Sequence, residues 1–168
     1  MTRHLAIGDI HGCFNSLTSL LSFVGLRDDD TIVTLGDYID RGPDSRSVLD
    51  LLIKLDNSHQ LVPLRGNHEV MMLDARVKTS WLRPWLSNGG DATLRSYSAG
   101  EDGAVTFDDI PDAHYGFLEN RLLPYYECAT HFFVHAGVDV NTHLKAPGCR
   151  GITIIQSVLI PGHSGKVG

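Results

Sequence analysis

Three times in its first half, the chain repeats one pattern: a short apolar run, a polar loop that contains glycine, and a helical stretch. The apolar runs are His4–Ile7, Thr31–Leu35 and Leu61–Leu64. Strands that alternate with helices at this period predict a parallel sheet whose strands are joined by helical crossovers. Because the carboxyl ends of parallel strands lie at one edge of a sheet, the loops GDIHG, GDYIDRG and RGNHE are expected to converge there.

The helical stretches carry signals for where they begin and end. Asn15 and Ser45 are expected to cap the helices after the first two loops, because both side chains can accept a bond from a free backbone N–H. The stretch Ser80–Tyr97 predicts two helical pieces, broken at Pro84 and at the turn Asn88–Gly90.

The second half of the chain is less regular. Pro111–Leu122 predicts a helix, with the proline tolerated in its first turn. The stretch YYECATHFFVHAGV predicts one or two strands that end in a fourth polar tip at His135. From Asp139 to Gly168 the periodicity is weak until the apolar run ITIIQSVLI, so little regular structure is predicted there.

Bulk properties narrow the class of protein. A chain of 168 residues has the length of one domain, and its net charge of −6 argues against nucleic acid as a partner. The three cysteines, Cys13, Cys128 and Cys149, are widely spaced, which predicts free thiols in a reducing compartment. The chain begins without a signal-peptide pattern and has no apolar run of membrane-spanning length. We therefore expect a cytoplasmic protein with no membrane partner.

The polar side chains at the four strand tips are of the types that bind divalent cations: Asp9, His11, Asp37, Asn67 and His135. Carboxylate, imidazole and amide ligands suit Mn²⁺, Fe or Zn²⁺ better than Ca²⁺. Asp37 has two oxygens and can bridge two ions. A single GD after a strand is also typical of a simple turn, but five such ligands on four successive tips are not explained by turns. The sequence therefore predicts a metal site at this edge.

In this order and at these intervals, GDIHG, GDYIDRG, RGNHE and HAG resemble the signature of the calcineurin-like metallophosphoesterases. More narrowly, they resemble the phosphoprotein phosphatase branch, above all its bacterial serine/threonine protein phosphatases, as do LSNGGDATLRSY and FLENRLLPYYE. The resemblance covers residues 4–141 and leaves 142–168 as an atypical end of one domain, 1–168. It implies an α/β fold with a β-sandwich flanked by helices, whose C-terminal strands are incomplete if the chain is truncated.

The resemblance also implies a dinuclear metal site. Asp9, His11 and Asp37 would hold the first ion, and Asp37, Asn67 and His135 would hold the second. Mn²⁺ is the expected ion at both positions, with Fe or Zn²⁺ as alternatives. Such a pair of ions would activate a hydroxide that attacks a phosphomonoester.

Three further residues receive catalytic roles from the resemblance. His68 would protonate the leaving oxygen as a general acid, Asp40 would steer His68, and Arg41 would bind the phosphate. Arg65 and Glu69 bracket the third loop and are expected to be structural. The substrate would be a phosphorylated protein or a small phosphoester, and the oligomeric state stays open.

Other functions remain as alternatives. Symmetrical dinucleoside-tetraphosphate hydrolases are similar, although the resemblance implies that they carry alanine where this chain has Asp40. Phosphodiesterases of the wider superfamily usually show GNHD, and here Glu69 follows His68. A nucleotide-binding protein without catalysis fits less well, because the chain lacks the GxGxxG and GxxxxGK[ST] loops.

The C-terminal end departs from the family pattern, because residues 142–168 contain no tryptophan–arginine segment. In one interpretation, SVLIPGHS is the final strand and His163 completes the second metal site. In the other, PGHSGKVG resembles the stretch before that strand, and the chain is a frameshifted or truncated product. The second interpretation makes a non-catalytic fragment a third candidate.

Overall fold

The structure is a computed structural model that describes residues 3–58, 60–98, 105–136 and 153–156. Its strands are β1 His4–Ile7, β2 Thr31–Thr34, β3 Gln60–Pro63, β4 Tyr125–Glu127, β5 His131–Val134 and β6 Thr153–Gln156. Its α-helices are α1 Phe14–Val24, α2 Ser45–Ser58, α3 Asn67–Val77, α4 Thr79–Trp85, α5 Asp91–Ser96 and α6 Asp112–Asn120. A π-helical turn, Leu86–Gly90, joins α4 to α5, and Phe107–Asp109 forms a 3₁₀ turn. None of these helices is long and apolar enough to cross a membrane.

The strands form two three-stranded sheets. In the first sheet, β1, β2 and β3 lie side by side and parallel, with Ala6 opposite Val33 and Val33 opposite Val62. In the second sheet, β5 pairs antiparallel with β4 and parallel with β6. An isolated parallel bridge outside these strands joins Leu64 and Leu123. The predicted parallel sheet with helical crossovers is confirmed for β1 to β3.

The central strand β2 is buried along its whole length, and its two apolar residues, Ile32 and Val33, pack on opposite faces. On one face, Val33 packs with Leu64 and Phe133 between the two sheets. On the other face, Ile32 belongs to a larger cluster that also contains Leu49 of α2 and several residues of the other helices. Because successive residues of a strand point to opposite faces, β2 holds both layers together. The α/β sandwich flanked by helices is therefore the observed fold.

Two of the expected helix caps are wrong. Helix α1 begins at Phe14 with Cys13 in the capping position, so Asn15 already lies in the first turn. Helix α2 begins at Ser45, and Asp44 caps it by accepting the backbone N–H of Ser47 on Oδ1 at 3.0 Å. The chain offers two adjacent capping residues at this point, and the hydroxyl of Ser45 is used elsewhere, as described below.

The segment that follows α3 also differs in part from the prediction. Helix α4 includes Pro84 and ends one residue later, so the predicted break at Pro84 is wrong. The predicted turn at Asn88–Gly90 is confirmed, because Gly89 has a φ of 102° that no helix allows. Helix α5 therefore starts in a new direction after the π turn, and this change of direction brings it against α2.

Candidate active site

The candidate site lies where the carboxyl ends of four strands meet. The five side chains expected there all follow these ends: Asp9 and His11 after β1, Asp37 after β2, Asn67 at the start of α3 after β3, and His135 after β5. Backbone bonds hold the first two loops together, since the N–H groups of Ile10 and His11 both donate to the carbonyl of Asp37, at 3.0 and 2.8 Å.

The backbone of these loops is strained. Among the described residues, the non-glycine residues with positive φ are His11, Asp37, Asp40 and Arg41. All four lie in the first two of the converging loops. Side chains rarely tolerate this conformation, and its concentration in one place is typical of functional sites.

Asp37 stands at the centre of the site and is 1 % exposed. Its Oδ1 accepts the backbone N–H of His68 at 3.1 Å and lies 3.3 Å from Nε2 of His135. Its Oδ2 is buried and has no hydrogen-bond partner among the described residues; it lies 3.7 Å from Nε2 of His11 and 4.0 Å from Nε2 of His68. A buried carboxylate oxygen without a partner is costly, and a bound cation removes that cost.

The orientation of two imidazoles also suits metal binding. His135 faces the carbonyl of Leu35 through Nδ1 at 2.8 Å, and His11 faces the carbonyl of Ile39 through Nδ1 at 2.9 Å. Because a carbonyl only accepts, each Nδ1 is the donor, and each neutral ring presents its lone pair on Nε2. Nε2 of His135 lies 3.0 Å from Oδ1 of Asn67, so several acceptor atoms face one another. This donor set fits divalent cations.

The side chains that could share an ion form two groups among the described residues. His11, Asp37 and His68 make one group, and Asp9, Asp37 and His135 make the other, with the ligand atoms of each group within 4.8 Å of one another. Asp37 belongs to both, in keeping with its expected bridging position. Asp9 is in the group with His135, and the expected first ion set of Asp9, His11 and Asp37 stays a prediction. His163 lies outside the described residues.

His68 and Asp40 form a buried pair beside this cluster. Nδ1 of His68 is 2.7 Å from Oδ2 of Asp40, and neither side chain is more than 1 % exposed. The indole N–H of Trp85 donates to the same oxygen at 2.9 Å, and the hydroxyl of Thr93 donates to Oδ1 at 2.7 Å. The backbone N–H of Asp40 also donates to Thr93 at 2.8 Å and to Ser45 at 3.2 Å.

Three residues that contact Asp40 were not predicted as site residues: Ser45, Trp85 and Thr93. None of the three is a metal ligand or a titratable group near neutral pH. Trp85 and Thr93 reach Asp40 from the two sides of the π turn, 45 and 53 residues farther along the chain. The resemblance of LSNGGDATLRSY to its counterparts was the one sequence signal that this segment matters.

Glu69, expected to be structural, joins two loops of the site. Its buried carboxylate accepts the backbone N–H groups of Asp37 at 3.0 Å, Tyr38 at 2.8 Å and Gly66 at 2.9 Å. Burial, with a smaller contribution from the charge of Asp37, raises the pKa of Glu69 to about 7. Gly66 is needed here, because a Cβ atom would lie 2.2 Å from Oδ1 of Asp37.

Arg41 lies exposed at the mouth of the site. Its backbone N–H donates to the carbonyl of Gly89 at 3.0 Å, which fixes the strained turn. Its guanidinium donates to Nε2 of His11 at 3.0 Å, so it reaches the ligand atoms. From this position it can offer two N–H groups to an anion.

Comparisons with known proteins find phosphoesterases. A sequence profile described as calcineurin-like phosphoesterase matches residues 2–156. Serine/threonine-protein phosphatase 1 of Salmonella typhimurium is 36% identical over 148 residues, which are 84% of this chain and 62% of the relative. The symmetrical bis(5'-nucleosyl)-tetraphosphatase of Neisseria gonorrhoeae is 45% identical over 71 residues, which are 42% of this chain and 25% of the relative.

A solved structure supports the fold. A protein serine/threonine phosphatase from Saccharomyces cerevisiae superposes with a TM-score of 0.54 at 19% identity, covering 80% of this chain and 38% of that one. The chain thus matches less than two thirds of the length of these relatives.

Proposed function

The chain belongs to the calcineurin-like phosphoesterase family, and on that premise we propose that it is a metal-dependent phosphomonoester hydrolase of the serine/threonine protein phosphatase type. The observation that carries the proposal is the buried carboxylate of Asp37. Its Oδ2 lacks a hydrogen-bond partner in the part of the chain that the structure describes, while the rings of His11, His68 and His135 lie within 4.0 Å of its two oxygens.

The residues that would hold two divalent cations are Asp9, His11, Asp37, Asn67 and His135. Their mixture of carboxylate, imidazole and amide suits Mn²⁺ first, with Fe or Zn²⁺ as alternatives. When bound, such cations polarise a phosphoryl group and lower the pKa of water, which provides a nucleophile at neutral pH. The proposed contribution of the chain is to hold the ligand atoms at one edge of the sheet and to keep Asp37 out of water.

His68 would supply the proton that the leaving oxygen needs. Its Nδ1 is engaged with Asp40 at 2.7 Å, so its Nε2 is the atom that can hold and release a proton. That atom lies 4.0 Å from Oδ2 of Asp37, on the side of the cation ligands. Arg41, at the mouth, would bind and orient two oxygens of the phosphate.

The proposed substrate is a phosphorylated protein or a small phosphomonoester. A symmetrical dinucleoside tetraphosphate is the second candidate, because a relative that carries that name is 45% identical over 71 residues. Asp40 favours the first candidate, since its buried pairing with His68 suits protonation of a basic alkoxide. The cytoplasmic location, the lack of a nucleic-acid partner and the single domain stay predictions.

The test is hydrolysis by purified protein supplied in turn with Mn²⁺, Fe²⁺ and Zn²⁺. The substrates are 4-nitrophenyl phosphate, a phosphoserine peptide and diadenosine tetraphosphate. We expect Mn²⁺-dependent turnover of the first two, and loss of that turnover in Asp37→Asn. The control is Asp29→Asn, which changes an exposed acid outside the site in the same way.

Each outcome separates the candidates. Turnover of the tetraphosphate alone would replace the proposed substrate by the second candidate. Folded protein without turnover under any of the three metals would leave the non-catalytic fragment as the correct description. Equal activity of Asp37→Asn and Asp29→Asn would remove the metal site from the mechanism.

A further inference from the structure

Building on the function proposed above, we propose that Thr93 and Trp85 are positioning residues for the general acid. They hold the carboxylate of Asp40 in one orientation as a pure hydrogen-bond acceptor. That carboxylate in turn keeps the proton of the neutral His68 ring on Nδ1 and orients Nε2 toward the leaving oxygen. The two residues thereby act on the proton-transfer step without touching the substrate.

The direction of each hydrogen bond follows from the chemistry of the partners. The indole nitrogen of Trp85 can only donate, so Oδ2 of Asp40 accepts from it at 2.9 Å. Thr93 accepts the backbone N–H of Asp40, and its one proton goes to Oδ1 at 2.7 Å. The hydroxyl of Ser45, 3.1 Å from that of Thr93, must then be the donor between them.

Asp40 consequently receives donors on both oxygens before His68 is counted. The third donor can only be Nδ1 of His68, at 2.7 Å from Oδ2. This leaves Nε2 as the ring nitrogen on the side where the site opens toward Asp37, 4.0 Å from its Oδ2.

The fold supplies this arrangement through one continuous segment, Trp85 to Thr93. Trp85 ends α4 and is fully buried, with its ring stacked on Phe107 at a centroid distance of 5.2 Å. Gly90 lies flat against the indole, and a Cβ atom there would come within 2.3 Å of the ring. The same segment accepts the backbone N–H of Arg41 through Gly89. The segment from Trp85 to Thr93 therefore holds both Asp40 and Arg41 through hydrogen bonds.

The experiment compares leaving groups of different basicity. Phenyl phosphate needs more protonation of its leaving oxygen than 4-nitrophenyl phosphate does, so loss of the general acid slows phenyl phosphate more. The Mn²⁺-loaded full chain is tested as Thr93→Val, which keeps the shape without the hydroxyl, and as Thr93→Ser, which keeps the hydroxyl. Trp85→Phe removes the indole N–H and provides a second variant if Thr93→Val does not fold. Thr34→Val, which removes a buried hydroxyl bonded to Tyr38, is the matched control.

We expect Thr93→Val and Trp85→Phe to lose about 10- to 100-fold in kcat on phenyl phosphate, as for a hydrogen bond to a charged group. On 4-nitrophenyl phosphate the loss should be several times smaller, with KM little changed. Thr93→Ser and Thr34→Val should keep the ratio of the two substrates at the wild-type value. An equal loss on both substrates would show a general structural role and overturn the proposal.

A second readout does not depend on turnover. Nitrogen-15 spectra of the metal-free protein at a pH where the ring of His68 is neutral report which ring nitrogen carries the proton. We expect Nδ1–H in the wild type and a mixture of tautomers in Thr93→Val. A wild-type ring protonated on Nε2 overturns the proposal. If the wild type hydrolyses neither substrate yet shows Nδ1–H, the proposed function fails while the positioning network stands.

Discussion

The two sides of Asp37 differ in how far the protein completes them. On the proposed acid side, formed by Asp40, His68, Trp85 and Thr93, the protein itself partners both carboxylate oxygens of Asp40. On the proposed cation side, formed by Asp9, His11, Asp37, Asn67 and His135, acceptor atoms face one another. There Oδ2 of Asp37 is, among the described residues, the buried side-chain polar atom that lacks a hydrogen-bond partner.

The hydrogen bonds of the acid side are complete within the protein, whereas the cation side needs a bound cation to satisfy its acceptor atoms. A buried polar network whose members are all satisfied is rigid, because any movement would leave a group unpaired. A cluster of acceptors without a proton between them is satisfied only when a cation binds. We therefore expect the proposed proton donor, His68, to hold the same position with and without metal. The interactions of the cation side should change when a metal ion binds.

The largest effect is expected from breaking the acid side at its centre. Asp40→Asn keeps the shape of the side chain but replaces one accepting oxygen by an amide NH₂ group. This group would face a donor of Trp85, Thr93 or His68, so one hydrogen bond would be lost. We expect kcat to fall by about 10²- to 10⁴-fold, the usual contribution of a general acid. The affinity for Mn²⁺, measured by calorimetry, should stay within about threefold of the wild type. A large loss of Mn²⁺ affinity would mean that the two sides are not separate.

A smaller effect is expected on the cation side from His135→Ala. Removing this ligand should weaken Mn²⁺ binding by at least about 10- to 100-fold, as the loss of even an outer partner of a metal ligand does. Activity should recover in part at high Mn²⁺ concentration, which is measured as the Mn²⁺ dependence of kcat. Asp40→Asn should show no such recovery. If high Mn²⁺ restored the activity of both variants, or of neither, the acid side and the cation side would not have separate roles.

The smallest effect is expected on stability, from an ion pair at the opposite end of the sheet. Because this pair lies away from the site, its loss should change the stability of the fold and leave the chemistry of the site unchanged. Arg3 donates to both carboxylate oxygens of Asp30, at 2.7 and 2.6 Å, and this bond lowers the pKa of Asp30 to about 2. The unfolded value is about 3.9, so the contribution to stability is present above about pH 4 and is lost as the pH falls toward 2. Asp30→Asn should lower the urea midpoint at pH 7, and the difference from wild type should shrink toward pH 2. Asp29→Asn should track the wild type at every pH, and a constant difference for Asp30→Asn would contradict the assignment.

The convergence of the candidate cation ligands at one edge of the sheet could be predicted from the sequence. Asp9, Asp37 and Asn67 follow three apolar runs at intervals of 28 and 30 residues, and the topology of parallel strands turns such intervals into proximity. The strands β1 to β3 were predicted within one residue for the same reason. What the pattern could not show is which imidazole lies next to which carboxylate, since side-chain orientation depends on the strained loops around His11 and Asp37.

The supports of the acid side could not be predicted in the same way. Ser45 stands where a helix cap is expected, and only the neighbouring Asp44 frees its hydroxyl for Thr93. From the sequence, Trp85 is expected to be an ordinary core residue, because the indole ring of a helical tryptophan usually packs in the hydrophobic core. Their convergence on Asp40 depends on the π turn between α4 and α5, a feature with no reliable local signal beyond its glycines.

The most direct test of the central claim is an anomalous difference map from crystals of the full chain grown with Mn²⁺. The account predicts two peaks at the edge formed by β1, β2, β3 and β5, both in contact with the carboxylate of Asp37. Asp9, His11, Asn67 and His135 should surround them, with Asp40 and His68 unmoved beside them. A single peak, or a map without any peak at Asp37, would contradict the account.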